Sequence, residues 1–92
     1  MKVKLYNVVS MSEGYIDELL HFTDKEDALE KIEELHESDL QNIKDNDYDF
    51  PEGDYYEPGD DCYTLRFYIG DEEYMYRSEI VETELEVNVI NA

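Results

Sequence analysis

Basic residues are scarce in this chain. Seven Lys and Arg stand against 26 Asp and Glu, a formal net charge of −19 over 92 residues. A small domain is comfortable at a net charge of about 2–8 in magnitude. The excess repels itself and opposes compaction, so something other than solubility is expected to maintain it. It also argues against direct binding to nucleic acid or an anionic membrane surface. Cysteine is nearly absent. Cys62 stands alone, so no internal disulfide can form, which agrees with a reducing cytoplasm. No apolar run approaches the roughly 18 residues of a membrane span. The start, "MKVKLYNVVSMSEG", has a weakly basic end but too short an apolar stretch for a signal peptide.

Signatures of chemistry are missing too. The chain has no GxSxG, P-loop or GxGxxG. Carboxylate pairs carry no information where 26 acids guarantee chance pairs. Cys62 sits among acids, which disfavour its thiolate. His21 and His36 have no partner at zinc-ligand spacing, and His36 is expected at a helix end in a capping or surface role. Asp45, Asp47 and Asp49 alternate as calcium ligands would. An EF-hand loop, however, needs Gly and Glu where this chain has Phe50 and Tyr56. Neither an enzyme nor a metal nor a cofactor is expected.

What remains is a folding pattern. Hydrophobic residues make up 41% of the chain, with nine Tyr and three Phe, too many for a disordered acidic tail. The length allows one domain, residues 1–92. Residues 2–11 read as a strand and 12–14 as a turn. Residues 15–22 alternate, with Ile16, Leu20 and Phe22 on one side, and read as a hairpin partner. Ile16, Leu19 and Leu20 also fit a helical face, so a short helix is the rival reading. Residues 23–38 form the main helix, with Thr23 and Glu26 as a capping box and Ala28, Leu29, Ile32 and Leu35 as its apolar stripe. Ser38 opens a second short turn held by Leu40 and Ile43. Residues 62–70 and 72–80 alternate around a Gly70–Asp71 turn, and 81–89 read as a possible fifth strand. The sum is an α+β fold, in order β-β-α-β-β. An antiparallel sheet of four or five strands packs on one main helix.

Between helix and second hairpin lies "DNDYDFPEGDYYEPGDDCY", with eight acids, five aromatics and no Lys or Arg. Pro51, Gly53, Pro58 and Gly59 break regular structure there. A loop this long in a small domain is usually functional or disordered, and its aromatics argue for order. Tyr is enriched at binding hot spots, and Tyr55 and Tyr56 have no evident core role. The expected binding residues are Asp45, Asp47, Asp49, Glu52, Asp54, Tyr55, Tyr56, Glu57, Asp60 and Asp61. Glu82, Glu84 and Glu86 form a secondary row, since alternate strand residues share a face about 6.6–6.8 Å apart. Asp27, Glu30, Glu34 and Glu37 step along the outer side of the helix.

In size and charge pattern the chain resembles small acidic phage-encoded inhibitors of bacterial defence, the DNA-mimic anti-restriction proteins and anti-CRISPR proteins. No motif is matched residue by residue. The resemblance implies a non-enzymatic inhibitor in the host cytoplasm, its acids filling a groove meant for phosphates. The partner would be a basic protein, such as a nucleic-acid-binding enzyme or defence nuclease. An immunity protein or antitoxin against a nuclease toxin uses the same surface, and a passive acidic structural or regulatory domain is the third reading. The oligomeric state stays open.

Overall fold

The computed structural model describes residues 1–12, 15–51 and 53–87. It is an α+β fold with four antiparallel strands and one helix: β1 (Lys2–Ser12), β2 (Tyr15–Phe22), α1 (Lys25–Asp45), β3 (Cys62–Ile69) and β4 (Glu72–Glu86). The sheet runs β2-β1-β4-β3. Residues 15–22 are a strand, as the hairpin reading requires. Of the turn expected at 12–14, Ser12 belongs to β1 and the other two residues lie outside the described ones. At Gly70 φ is +65°, while Asp71 keeps a negative φ. That combination fits a two-residue type II′ hairpin turn, which needs Gly at its first position.

Three expectations are corrected. The helix cap is Asp24, not Thr23: its backbone is extended and its carboxylate accepts from the Glu26 N–H at 2.9 Å. A carboxylate there also complements the helix dipole. The helix does not stop at Ser38 but continues to Asp45. Neither Gly nor Pro interrupts 25–45, and Ile32, His36, Leu40 and Ile43 keep one face apolar or buried throughout. Finally, no separate fifth strand exists among the described residues. Residues 81–86 extend β4, which pairs with β1 along its whole length, from Lys2↔Glu86 to Ser12↔Tyr76.

A bulge resets β2. Its register on β1 jumps between Ser10↔Glu18 and Met11↔Ile16, leaving Asp17 as the extra residue. The alternation read from the sequence puts Ile16 with Leu20 and Phe22. The bulge instead turns Ile16 to the opposite face, beside Leu19, where it is exposed.

The helix covers one face of the sheet. The core comprises Ala28, Ile32 and Ile43 from α1, Val8 from β1, and Tyr63, Leu65 and Phe67 from β3. Phe67 anchors an aromatic group, with Tyr48, Tyr74 and Tyr76 at ring-centroid distances of 5.4, 5.8 and 4.8 Å. No helix covers the far face among the described residues. There Asn7 joins three strands: its amide donates to the Val81 carbonyl and to Thr83 Oγ1, both at 3.0 Å, and its Oδ1 meets His21 Nδ1. The β1–β4 ladder runs past the end of β2, because β2 pairs only from Tyr6 onward. Lys2–Leu5 and Thr83–Glu86 therefore project as a two-stranded ribbon.

Ile32 is fully buried between helix and sheet. Ile32→Ala should cost about 2–5 kcal/mol of stability through lost burial and a residual cavity. Urea denaturation followed by circular dichroism checks this.

Candidate functional site

The acidic loop is built onto the helix through His36. This residue is mid-helix and 7% exposed, not the surface or capping residue expected. Its Nε2 contacts Asp54 Oδ2 at 2.7 Å. The Tyr56 ring packs at a tilt of 33° against the imidazole, centroids 4.2 Å apart, and Tyr63 meets it edge-on at 5.2 Å. Tyr56 thus packs against the core, contrary to the expectation that both loop tyrosines stand free. Tyr55 does stand free, at 80% exposed. Alternation between a seated and an exposed ring follows from the chain direction that Asp54 sets, for its Oδ1 also accepts from the Tyr56 N–H at 3.0 Å.

The rest of the loop has local reasons for its path. Asp45 closes the helix, accepting from Gln41 at 2.7 Å, and Asp47 takes a left-handed φ of 54° just past the helix end. Asp49 bridges Tyr68 through both backbone hydrogen bonds, 3.2 and 2.8 Å, at the edge of β3. Glu57-Pro58-Gly59-Asp60 is a turn with Pro second and Gly third, the type II arrangement. The Asp60 N–H reaches the Glu57 carbonyl at 3.0 Å, and the Asp60 carboxylate accepts from the Glu57 N–H at 2.9 Å. The carbonyl of Asp61 accepts from Ile80 at 3.0 Å, tying the loop's end to β4. Glu52 lies outside the described residues.

Below the loop sits a buried polar relay. Tyr63 Oη donates to the Asp39 carboxylate, and Ser78 Oγ lies 3.0 Å from Tyr63 Oη and 3.1 Å from Ser10 Oγ. Burial pushes the Asp39 carboxyl above the ordinary carboxylate range, against the pull of the Tyr63 hydrogen bond. Burial and then the Asp39 hydrogen bond hold the Tyr63 phenol protonated. Tyr56 is also raised, first by burial and then by Glu33 and Asp60, with Glu37 adding to them. That last pattern exposes a grouping invisible in the sequence. Asp54 and Asp60 of the loop and Glu33 and Glu37 of the helix surround one tyrosine. Beside them an open cleft of about 250 Å³ is lined by Tyr55, Tyr56, Asp60, Cys62, Tyr63 and Thr64.

The helix extends this patch. Asp27, Glu30, Glu34 and Glu37 are all exposed and share its outer side. Only Glu34 among them is in an ion pair, with Lys31 at 3.3 Å. By register Glu82, Glu84 and Glu86 lie on the helix side of β4, across from Tyr6, Lys4 and Lys2, with Glu84 and Glu86 on the projecting ribbon, and Glu82 approaches Lys4 at 3.8 Å. Helix residue Glu33 was missed, and the link of Glu37 to the loop with it, because only the His36–Asp54 contact, 18 residues apart, brings the loop to them.

Compared with family models, curated proteins and solved structures, the chain has no match. Among the described residues no helix is long and apolar enough to cross a membrane.

The buried Asp39 carboxyl has a pH consequence. A carboxyl whose folded-state pKa is raised binds protons more readily folded than unfolded. Its ionisation therefore costs stability as pH rises, and the cost is relieved as pH falls towards its unfolded value near 3.8. Screened self-repulsion acts in the same direction. Melting temperature should rise from neutral to mildly acidic pH, and Asp39→Asn, which keeps an acceptor for Tyr63, should be stabilised at neutral pH with a flatter profile. Thermal melts of both proteins across this range test the difference.

Proposed function

We propose that the protein is a non-enzymatic acidic binding protein that occupies the basic nucleic-acid-binding surface of another protein. The observation that carries this reading is the continuous acidic patch made by the loop and the outer side of α1. Ion pairs among the described residues engage only four carboxylates, those of Glu34, Asp54, Glu79 and Glu82. Most of the patch is therefore uncompensated, and its carboxylates are available to guanidinium and ammonium groups.

The patch has a shape as well as a sign. A groove that holds a phosphate backbone presents Arg and Lys at intervals along its floor. Exposed acids one turn apart on a rigid helix meet such a row without reordering, and Arg–carboxylate pairs are among the stronger charge-assisted contacts. The cleft beside Tyr55 and Asp60 suits one inserted Arg, with a carboxylate for its fork and aromatic faces for its plane. The Asp54–His36 contact and the Pro58–Gly59 turn preorganise the loop, which lowers the entropy lost on binding. Inhibition would be steric, in the manner of phage-encoded inhibitors of bacterial defence, and needs no catalytic group.

The division of labour within the loop differs from a uniform contact surface. Asp54 serves the fold, while Tyr55, Glu57 and Asp60 face outward alongside Glu30, Glu34 and Glu37.

Affinity capture from host lysate with mass spectrometry, followed by stopped-flow association with the captured partner, tests this reading. The on-rate should fall steeply as salt rises, since screening over about 8–10 Å removes steering at physiological ionic strength. Glu57→Lys with Glu34→Lys should weaken binding by at least about tenfold with the melting temperature held, as exposed charges add little to stability. Asp54→Lys should instead lower the melting temperature. A salt-independent on-rate, or undiminished binding by the Glu57/Glu34 variant, overturns the reading.

A further inference from the structure

The sheet face opposite the helix is where the molecule's charge vanishes. By strand register this face carries Leu5, Val9, Ile16, Leu19, Val81 and Leu85. Ile16, Leu19, Val81 and Leu85 are 63, 50, 42 and 52% exposed, against a buried core of seven hydrophobic residues among the described ones. Register places four charged side chains there from β3 and β4: Arg66, Arg77, Glu73 and Glu79. They sum to zero in a chain of −19. Every acid of the patch described above lies on the other side or in the loop.

We propose that this open face is covered by a second copy of the chain, giving a face-to-face dimer with the two acidic patches turned outward. Three observations select a second copy over another occupant. The first is area. At about 3.3 Å per residue and about 4.8 Å between strands, a sheet of these strand lengths presents roughly 650–700 Å². A standard interface takes about 600–1,000 Å² from each partner.

The second is charge. A partner chosen to fit the acidic patch is basic and belongs on that patch, whereas the open face offers a foreign basic surface no net negative charge to pair with. It does suit itself. Arg77 already pairs with Glu79 at 3.1 Å. Arg66 and Glu73 have no ion-pair partner among the described residues, and they sit two positions apart on adjacent strands. In a two-fold interface residue i meets j while j meets i, so Arg66 of each copy can meet Glu73 of the other. The acidic outer sides of the two helices would be separated by two packed sheets about 10 Å apart plus the helices themselves, beyond the screening length of physiological salt.

The third is the ribbon. Lys2–Leu5 with Thr83–Glu86 projects without a third strand, and a lone two-stranded ribbon is marginal in water. Its apolar side holds Leu5 and Leu85, and the extension contributes to a long axis of 61 Å. Sheet packing from a second copy would bury that side.

This inference does not depend on the proposed function, and the two respond to salt in opposite directions. Binding of a basic partner weakens with salt; self-association of two like-charged chains through an apolar face strengthens. Sedimentation velocity from about 5 to about 500 μM protein, at about 50 and about 500 mM NaCl, should show a dimer that gains at least about threefold in affinity at the higher salt. Leu19→Asp and Val81→Asp, both at exposed positions, should weaken self-association by at least tenfold with an unchanged circular dichroism spectrum. Glu30→Lys with Glu34→Lys should leave it intact. A wild-type monomer throughout this range overturns the proposal and leaves the face to some other occupant. So does a dimer that both aspartate variants retain, which would place contact at the free edges of β2 or β3.

Discussion

The Tyr63 phenol holds three parts of the molecule at one point. Its hydroxyl donates to Asp39 of the helix and lies beside Ser78 of β4, which in turn reaches Ser10 of β1. Its ring meets the imidazole of His36 edge-on, and His36 carries both Tyr56 and Asp54 of the loop. Helix position, sheet registry and loop path therefore share one buried residue. In a domain with so small a core, a polar contact that removes a phenol, a carboxylate and a serine from water is only tolerable when each finds a partner. Here each does. That satisfaction is what allows a chain carrying −19 to seat a long acidic loop on an acidic helix.

The two sides of the sheet solve opposite problems. The helix side buries the apolar stripe of α1 and collects carboxylates around it, with few cations to offset them. The far side is close to neutral, apolar and bare. Self-repulsion of excess charge is distributed over the helix and loop, where solvent screens it, and is kept away from the ladder between β1 and β4. The exception is the Glu82–Glu84–Glu86 row, which runs onto the projecting ribbon across from Tyr6, Lys4 and Lys2, one of the few places where acids are locally compensated.

Much of the architecture was legible in the chain. Strands announced themselves by alternation and the Gly70–Asp71 turn, and the helix by Ala28 and Ile32 at one-turn spacing. The bulge was not legible, because an inserted residue such as Asp17 leaves the local pattern ambiguous between two faces. The helix end was misplaced for a related reason: Ser38 is a good cap, but nothing after it breaks the helix, so apolar spacing through Ile43 prevails over a local preference. The loop was recognisable as a concentration of acids and tyrosines. Which of its residues turn inward was not, since Asp54 and Tyr56 are drawn in by His36, a contact across 18 residues that no local rule encodes. Nor does alternation in β4 say which face meets the helix. Val81 and Leu85 share the apolar side of their strand, yet that side is the bare one.

The account stands on the acidic patch taking the place of nucleic acid on a basic protein. The most direct measurement is competition. The partner captured from lysate is loaded with a fluorescently labelled oligonucleotide, and anisotropy is followed as the protein is added. The account predicts release of the oligonucleotide at one equivalent of protein, with no release by a variant whose outward loop and helix acids are reversed. A ternary complex in which the oligonucleotide stays bound at saturating protein would contradict it.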